Sequence, residues 1–257
     1  MALIRRAAIT SLAAAAIVAL ATTPSAQNAQ PQAPAGYLTS GDLDGTALLG
    51  PPPAAGTARA LADAARYAGT RSLAGTPRFA LAARDDDLRA GTLQRFSCAV
   101  GITLSPGATP RTLRMLAAVE RDVRTVGQPA KDHYGRRRPA LDNDAPLCVP
   151  RAPWMEKNAS YPSGHAMIGW SWALILAEIV PARANVILRS GKAYGDSRVI
   201  CGVHYESDVE AGRLLAAAMV ARLHAKAQFL GDEAAARTEL RRAGRFGARP
   251  SGCADYD

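Results

Sequence analysis

Beyond its first 26 residues the chain has no apolar run that could cross a bilayer, which takes roughly 20 residues. The best candidate, 168–180, contains Glu178 and stops at Pro181. A basic stripe is also missing. The net charge is +9 over 257 residues, yet the cations are scattered and only Arg136-Arg137-Arg138 is dense. That cluster is too short for a nucleic-acid face, whereas diffuse positive charge suits a small anionic substrate. The four cysteines, Cys98, Cys148, Cys201 and Cys253, lack the paired spacing of a zinc site. No internal repeat is present, which removes solenoid architectures. Long β-branched runs are absent and alanine is abundant, so the composition favours helix over sheet.

What is present begins with an export signal. Arg5-Arg6 precede an apolar stretch from Ala7 to Ala21, with small residues around Ala21 and Ala26 as cleavage points. This pattern predicts a signal peptide over residues 1–26, a periplasmic or secreted location, and no stable membrane insertion once it is removed. Export makes the cysteines candidates for two disulfides, with three pairings open.

An extended, proline-rich arm is expected over 27–56, because Gln, Ala and Pro dominate 27–35 and Leu48-Leu49-Gly50-Pro51-Pro52-Pro53 follows. A helical domain is expected over 57–230 and a tail over 231–257. Thr57 and the Thr109-Pro110 pair can start helices. Leu116, Val119, Val123 and Val126 recur at helical spacing. With four prolines, 139–153 reads as an irregular loop. Ser163 starts a helix carrying Ile168, Trp172, Ile175, Leu176 and Ile179, with Trp170 or Trp172 in the core, and another helix is expected over 182–193. Ser207-Asp208-Val209-Glu210 fits a capping box ahead of Val209, Ala216, Val220 and Leu223. The predicted fold is all-α, a single-domain helical bundle with its site between helices.

Three segments concentrate polar residues that a bundle core would otherwise avoid. They are Lys131 with Arg138-Pro139, Pro162-Ser163-Gly164-His165, and Ser197-Arg198 with His204 and Asp208. Ser163, Gly164 and His165 sit at a helix N-terminus, where free N–H groups and the helix dipole attract an anion. Arg138 and Arg198 can fork onto phosphate oxygens, and Lys131 adds a point charge. His204 and His165 offer a nucleophile and a proton donor. Asp208, four residues after His204, can accept a hydrogen bond from one ring nitrogen and leave the other free.

In these segments the chain resembles, without mismatch, the type 2 phosphatidic acid phosphatase superfamily, whose signature is K-x6-RP, PSGH and SR-x5-H-x3-D. Within it, Ala159 to Ala166 and the proline stretch at Leu48 to Pro53 are similar to the class A bacterial non-specific acid phosphatases. Ala159 replaces that class's Gly and Ala166 its Thr. The resemblance implies His204 as nucleophile oriented by Asp208, and His165 as the group that protonates the leaving alcohol and then activates water. Lys131, Arg138, Ser163, Gly164 and Arg198 would hold the phosphoryl oxygens. It implies phosphate monoesters as substrates, transfer to other alcohols as a side reaction, and neither metal nor cofactor. A homo-oligomer is left open. The superfamily also contains vanadium-dependent haloperoxidases, typically far longer, and lipid or isoprenoid pyrophosphate phosphatases, which usually span the membrane. A non-catalytic polyanion binder fits poorly with an intact His204, Asp208 and His165 set.

The remaining polar residues read as ordinary. His133 and His224 are expected to be structural, Asp85-Asp86-Asp87 to be a solvated face rather than a metal site, and Arg136 and Arg137 to be surface charge. Trp154 and Tyr161 are candidates for the leaving-group pocket, and the Asn158-Ala159-Ser160 sequon is incidental. Because Cys148 and Cys201 both flank site motifs, their pairing is favoured, leaving Cys98 for Cys253.

Overall fold

Short-range signals place most of the helices. A computed structural model of the chain describes residues 35–247 and 249–256, so the expected signal peptide lies outside the described residues. These contain ten α-helices and no strand. In chain order they are α1 (Gly45–Leu49), α2 (Ala58–Arg71), α3 (Pro77–Arg84), α4 (Ala90–Val100), α5 (Pro110–Tyr134), α6 (Trp154–Lys157), α7 (Gly164–Ile179), α8 (Ala184–Cys201), α9 (Glu206–Leu223) and α10 (Ala227–Phe246). Thr57 and Thr76 cap α2 and α3 through their hydroxyl oxygens. Thr109 precedes Pro110 at the start of α5, but its hydroxyl accepts instead from the N–H of Ser105 at 3.0 Å.

The core is built around α7. Ile168, Trp172, Ile175, Leu176 and Ile179 are all buried, and a helix apolar on most sides has to be enclosed by others. Here α8 and α9 pack along it, with α5 on a further side. Phe96 and Trp172 meet at 5.6 Å between ring centroids, and the Trp172 indole N–H donates to the Leu116 carbonyl at 3.2 Å. A large aromatic can be buried whole when its one polar atom has a partner. Trp170, by contrast, is only partly buried.

Several boundaries differ from the sequence expectation, and the helix expected over 182–193 is α8, which runs on to Cys201. The chain from residue 231 continues as helix to Phe246, so the point expected to begin a tail falls inside α10. The cause is tertiary. Phe229, Ala236 and Leu240 are buried, and the Glu239 carboxylate accepts the N–H groups of Arg111 and Thr112 at 2.9 and 2.8 Å, satisfying the start of α5. The expected arm contains α1, capped by Asp44, and is pinned to α5 where Asp122 accepts the N–H groups of Tyr37 and Leu38. Finally, α9 begins at Glu206, so Ser207 is not its cap. The Asp208 carboxylate accepts the Tyr205 N–H at 2.8 Å instead.

Two disulfides close the fold, Cys98–Cys253 and Cys148–Cys201. The second ties the proline-rich loop to the end of α8, where the Cys148 N–H also donates to the Cys201 carbonyl. It closes a separation of 53 residues. Replacing both of its cysteines with serine is expected to lower the unfolding free energy by about 2–5 kcal/mol, measured by urea denaturation under non-reducing conditions.

Candidate active site

Four stretches of backbone deliver the polar side chains to one place. Lys131 lies in the last turn of α5, and Arg136 and Arg138 follow on the segment after Gly135. The turn from Asn158 to Ser163 leads into α7, whose first residues are Gly164 and His165. Arg198 belongs to the last turn of α8, which ends at Gly202 with φ of +87°, a left-handed conformation that favours glycine. That reversal brings His204 in just before α9 carries Asp208.

Three cations converge here and are almost wholly buried. Lys131 is 6% exposed, Arg138 3% and Arg198 1%. Carbonyl groups aim two of them. Lys131 Nζ donates to Ala159 O at 2.6 Å, while Arg138 donates to Asn158 O at 2.8 Å and Val203 O at 2.9 Å. The exposed Trp154 ring lies 4.9 Å from the Arg138 guanidinium and covers it. Burial, then the Arg138 charge, pushes the Lys131 ammonium down to about 7. Burial, then Arg198, brings Arg138 down to about 10. Holding like charges together out of water is costly unless an anion joins them.

Arg198 carries the clearest sign of such an anion. Its Nε and Nη1 are buried without a hydrogen-bond partner. Nη1 does lie 2.7 Å from Asp86 Oδ1, an ion pair in distance that lacks hydrogen-bond alignment. The α7 N-terminus completes the enclosure. Ser163 caps it, and a Cβ built on Gly164 would point towards Lys131 Cε, 4.0 Å away.

His204 is 2% exposed and its two ring nitrogens have different neighbours. Nε2 is 3.1 Å from Arg138 Nη1, which can only donate, so Nε2 carries the lone pair. Nδ1 therefore bears the proton and faces Ser160 Oγ at 3.2 Å and Asp208 Oδ2 at 3.4 Å. The Ser160 hydroxyl donates to Asp208 Oδ2 at 2.5 Å, which frees its own lone pairs for the His204 N–H. Burial, then Arg138 and Lys131, holds the His204 imidazole well below the ordinary histidine value. His165 donates from Nε2 to the Asp86 carbonyl at 3.1 Å, and burial followed by Arg198 holds it well below the ordinary value too.

The eight residues singled out from sequence (Lys131, Arg138, Ser163, Gly164, His165, Arg198, His204 and Asp208) thus meet around one enclosure. Several others belong to it that were read as ordinary. Arg136 is not surface charge. Its side chain is 12% exposed and pairs with Asp208 Oδ1 at 2.5 Å and Asp63 Oδ2 at 2.8 Å. Asp63, on α2, also accepts the Ser207 N–H at 2.9 Å. Arg137 does face solvent, paired with Asp142. Nor is Asp85-Asp86-Asp87 a solvated face, since Asp85 is fully buried against Arg95 and Asp86 meets Arg198. Tyr161 is buried, with its hydroxyl donating to Gly50 O, so it braces the arm. His133 is exposed, and His224 pairs with Glu178. Ser160 and Asp63 carry no local spacing signal, because their partners lie on other elements.

Residues 115–231 match the PAP2 superfamily. The chain belongs to that superfamily. It is similar to an acid phosphatase of Zymomonas mobilis, 40% identical over 198 residues that cover 76% of this chain and 75% of the relative. A non-specific acid phosphatase of Providencia stuartii is 40% identical over 190 residues, 73% of this chain and 77% of the relative. One from Salmonella typhimurium is 38% identical over 199 residues, with 75% and 78% covered.

Removing Arg136 would leave the Asp63 and Asp208 carboxylates buried without their shared cation. Arg136→Ala is therefore expected to cost about 3–5 kcal/mol of stability, read from urea unfolding, with Arg136→Lys recovering only part of it. An unchanged midpoint for Arg136→Ala would show that the two carboxylates do not need it.

Proposed function

We propose that the chain is an acid phosphatase that hydrolyses phosphate monoesters through a phosphohistidine on His204. The observation that carries this reading is the unprotonated Nε2 of a buried histidine, set among Lys131, Arg138 and Arg198. In the first step Nε2 attacks phosphorus, the P–N bond forms, and the P–O bond to the leaving group breaks. Nδ1 keeps its proton and shares it with Ser160 and Asp208 as the ring becomes positive. Protonated His165 gives its proton to the departing alkoxide. In the second step His165 takes a proton from water, whose oxygen attacks phosphorus and releases His204. An alcohol in place of that water would give phosphate transfer.

The charge that builds on the phosphoryl oxygens is met by Lys131, Arg138, Arg198 and the N–H groups at the start of α7. Fixed donors of this kind do the electrostatic work of phosphoryl transfer. With three cations already in place, the reaction is expected to proceed without an added metal.

The pH dependence follows from the histidines. In the free protein the His165 value lies below the ordinary 6.5, so its acid form is lost as pH rises through that lowered value. His204 must be neutral, and its own depressed value keeps it so in mild acid. Lys131 adds to the alkaline loss, since it discharges near 7. Hydrolysis of p-nitrophenyl phosphate is expected to have its highest kcat/KM in acid, to fall before neutrality, and to survive EDTA. His204→Ala is expected to abolish both turnover and the acid-labile phosphoryl label trapped on the wild type by rapid quenching. Full activity in that variant, or no label on the wild type, would sink the phosphohistidine.

We further propose a periplasmic or secreted location, supported by the N-terminal pattern and by two disulfides, which persist in oxidising compartments. No described helix is long and apolar enough to cross a membrane. N-terminal sequencing of the protein recovered from a periplasmic extract or culture medium is expected to start between residues 22 and 27. An intact Met1 in a cytoplasmic fraction would overturn this.

A further inference from the structure

The acidic run between α3 and α4 contains three carboxylates with three different surroundings. Asp85 is an anchor. Its oxygens receive Arg95 Nε at 2.8 Å and Nη2 at 2.7 Å, and Ser197 Oγ donates to Oδ2 at 2.5 Å. Because Ser197 is the neighbour of Arg198, this anchor fixes the turn beside the phosphate grip. Asp87 closes the turn, accepting the Arg89 N–H at 2.7 Å, while its carbonyl accepts the Thr92 hydroxyl at 2.9 Å. Gly91 lets the two helices meet, since a Cβ there would lie 1.9 Å from the Arg84 carbonyl oxygen.

Asp86 does neither job. Its carboxylate stands 2.7 Å from Arg198 Nη1 and 4.0 Å from His165 Nε2, and its side chain is 33% exposed. Among the described residues no donor holds that carboxylate in hydrogen-bond geometry. It is therefore held there by charge rather than by hydrogen bonds, with part of its side chain open to solvent. Arg198 Nη1, meanwhile, is one of the groups expected to receive a phosphoryl oxygen.

We propose that Asp86 is a specificity-determining residue that competes with the substrate's phosphoryl group for Arg198. In the free enzyme its carboxylate occupies Arg198. A phosphoryl group enters by displacing it towards His165, the side on which the leaving group departs. There the carboxylate repels leaving groups that carry negative charge and tolerates those that carry positive charge. This inference rests on the phosphatase reading and adds to it a reason for weak phosphate binding and for selection among monoesters.

The test uses Asp86→Asn, which keeps the shape and removes the charge, and Asp86→Ala as a second variant. Titration calorimetry with inorganic phosphate is expected to show roughly tenfold tighter binding in both, the gain that follows if about nine-tenths of the free protein has Arg198 occupied. The KM for p-nitrophenyl phosphate should fall in proportion. The drop in KM should be larger for 3-phosphoglycerate, with its anionic leaving group, than for phosphoethanolamine. Phosphate affinity that is unchanged or weaker in both variants would overturn the competition, and an equal gain for the two substrates would overturn the selectivity. If the wild type binds and hydrolyses while the variants bind no more tightly, Asp86 alone is misread. If the wild type neither binds phosphate nor cleaves p-nitrophenyl phosphate, the phosphatase reading itself fails.

Discussion

The fully buried Asp208 carboxylate ties the site together. It accepts hydrogen bonds from the Ser160 hydroxyl, the Tyr205 N–H and Arg136, and faces His204 Nδ1. Its own carbonyl accepts the N–H of Ser163, so the start of α9 is joined directly to the start of α7. One residue therefore faces His204 Nδ1 and joins the two helix starts. A buried carboxylate can do this only when every lone pair and its charge are matched. Arg136 supplies the matching charge, and Asp63 in turn steadies Arg136 from α2.

The same pairing sorts the charges. Arg136 is spent on Asp63 and Asp208, which leaves Lys131, Arg138 and Arg198 with few anionic neighbours. Carbonyl oxygens orient Lys131 and Arg138 without cancelling their charge. The site thus keeps a positive excess in a place shielded from water, where each charge acts more strongly than it would at the surface. The depressed values of both histidines follow from this enclosure.

The all-α class, the start of α7 at Ser163 and the three polar segments were legible because each depends on neighbours a few residues away. Caps, proline at a first helical position and apolar spacing are local signals, and the motif spacings are short. The extent of α10 was not legible, because beyond residue 230 its buried apolar face is, among the described residues, only Ala236 and Leu240, helped by a carboxylate serving a different helix. The start of α9 was misplaced by one local reading, Ser207 as cap, when Ser207 instead pairs with Asp63.

What the sequence by itself determined was therefore the set of candidate groups: two histidines, three cations and a helix start, in an order that one superfamily shares. The tertiary structure alone decided how those groups are supported and opposed. Ser160 reaches Asp208 across 48 residues and Asp63 reaches Ser207 across 144. Arg136 became internal and Asp86 became a neighbour of Arg198 through packing between elements. Charge and hydrogen bonding act through space over a few ångströms, and a run of charged residues carries no record of which distant partners the fold will bring within that range.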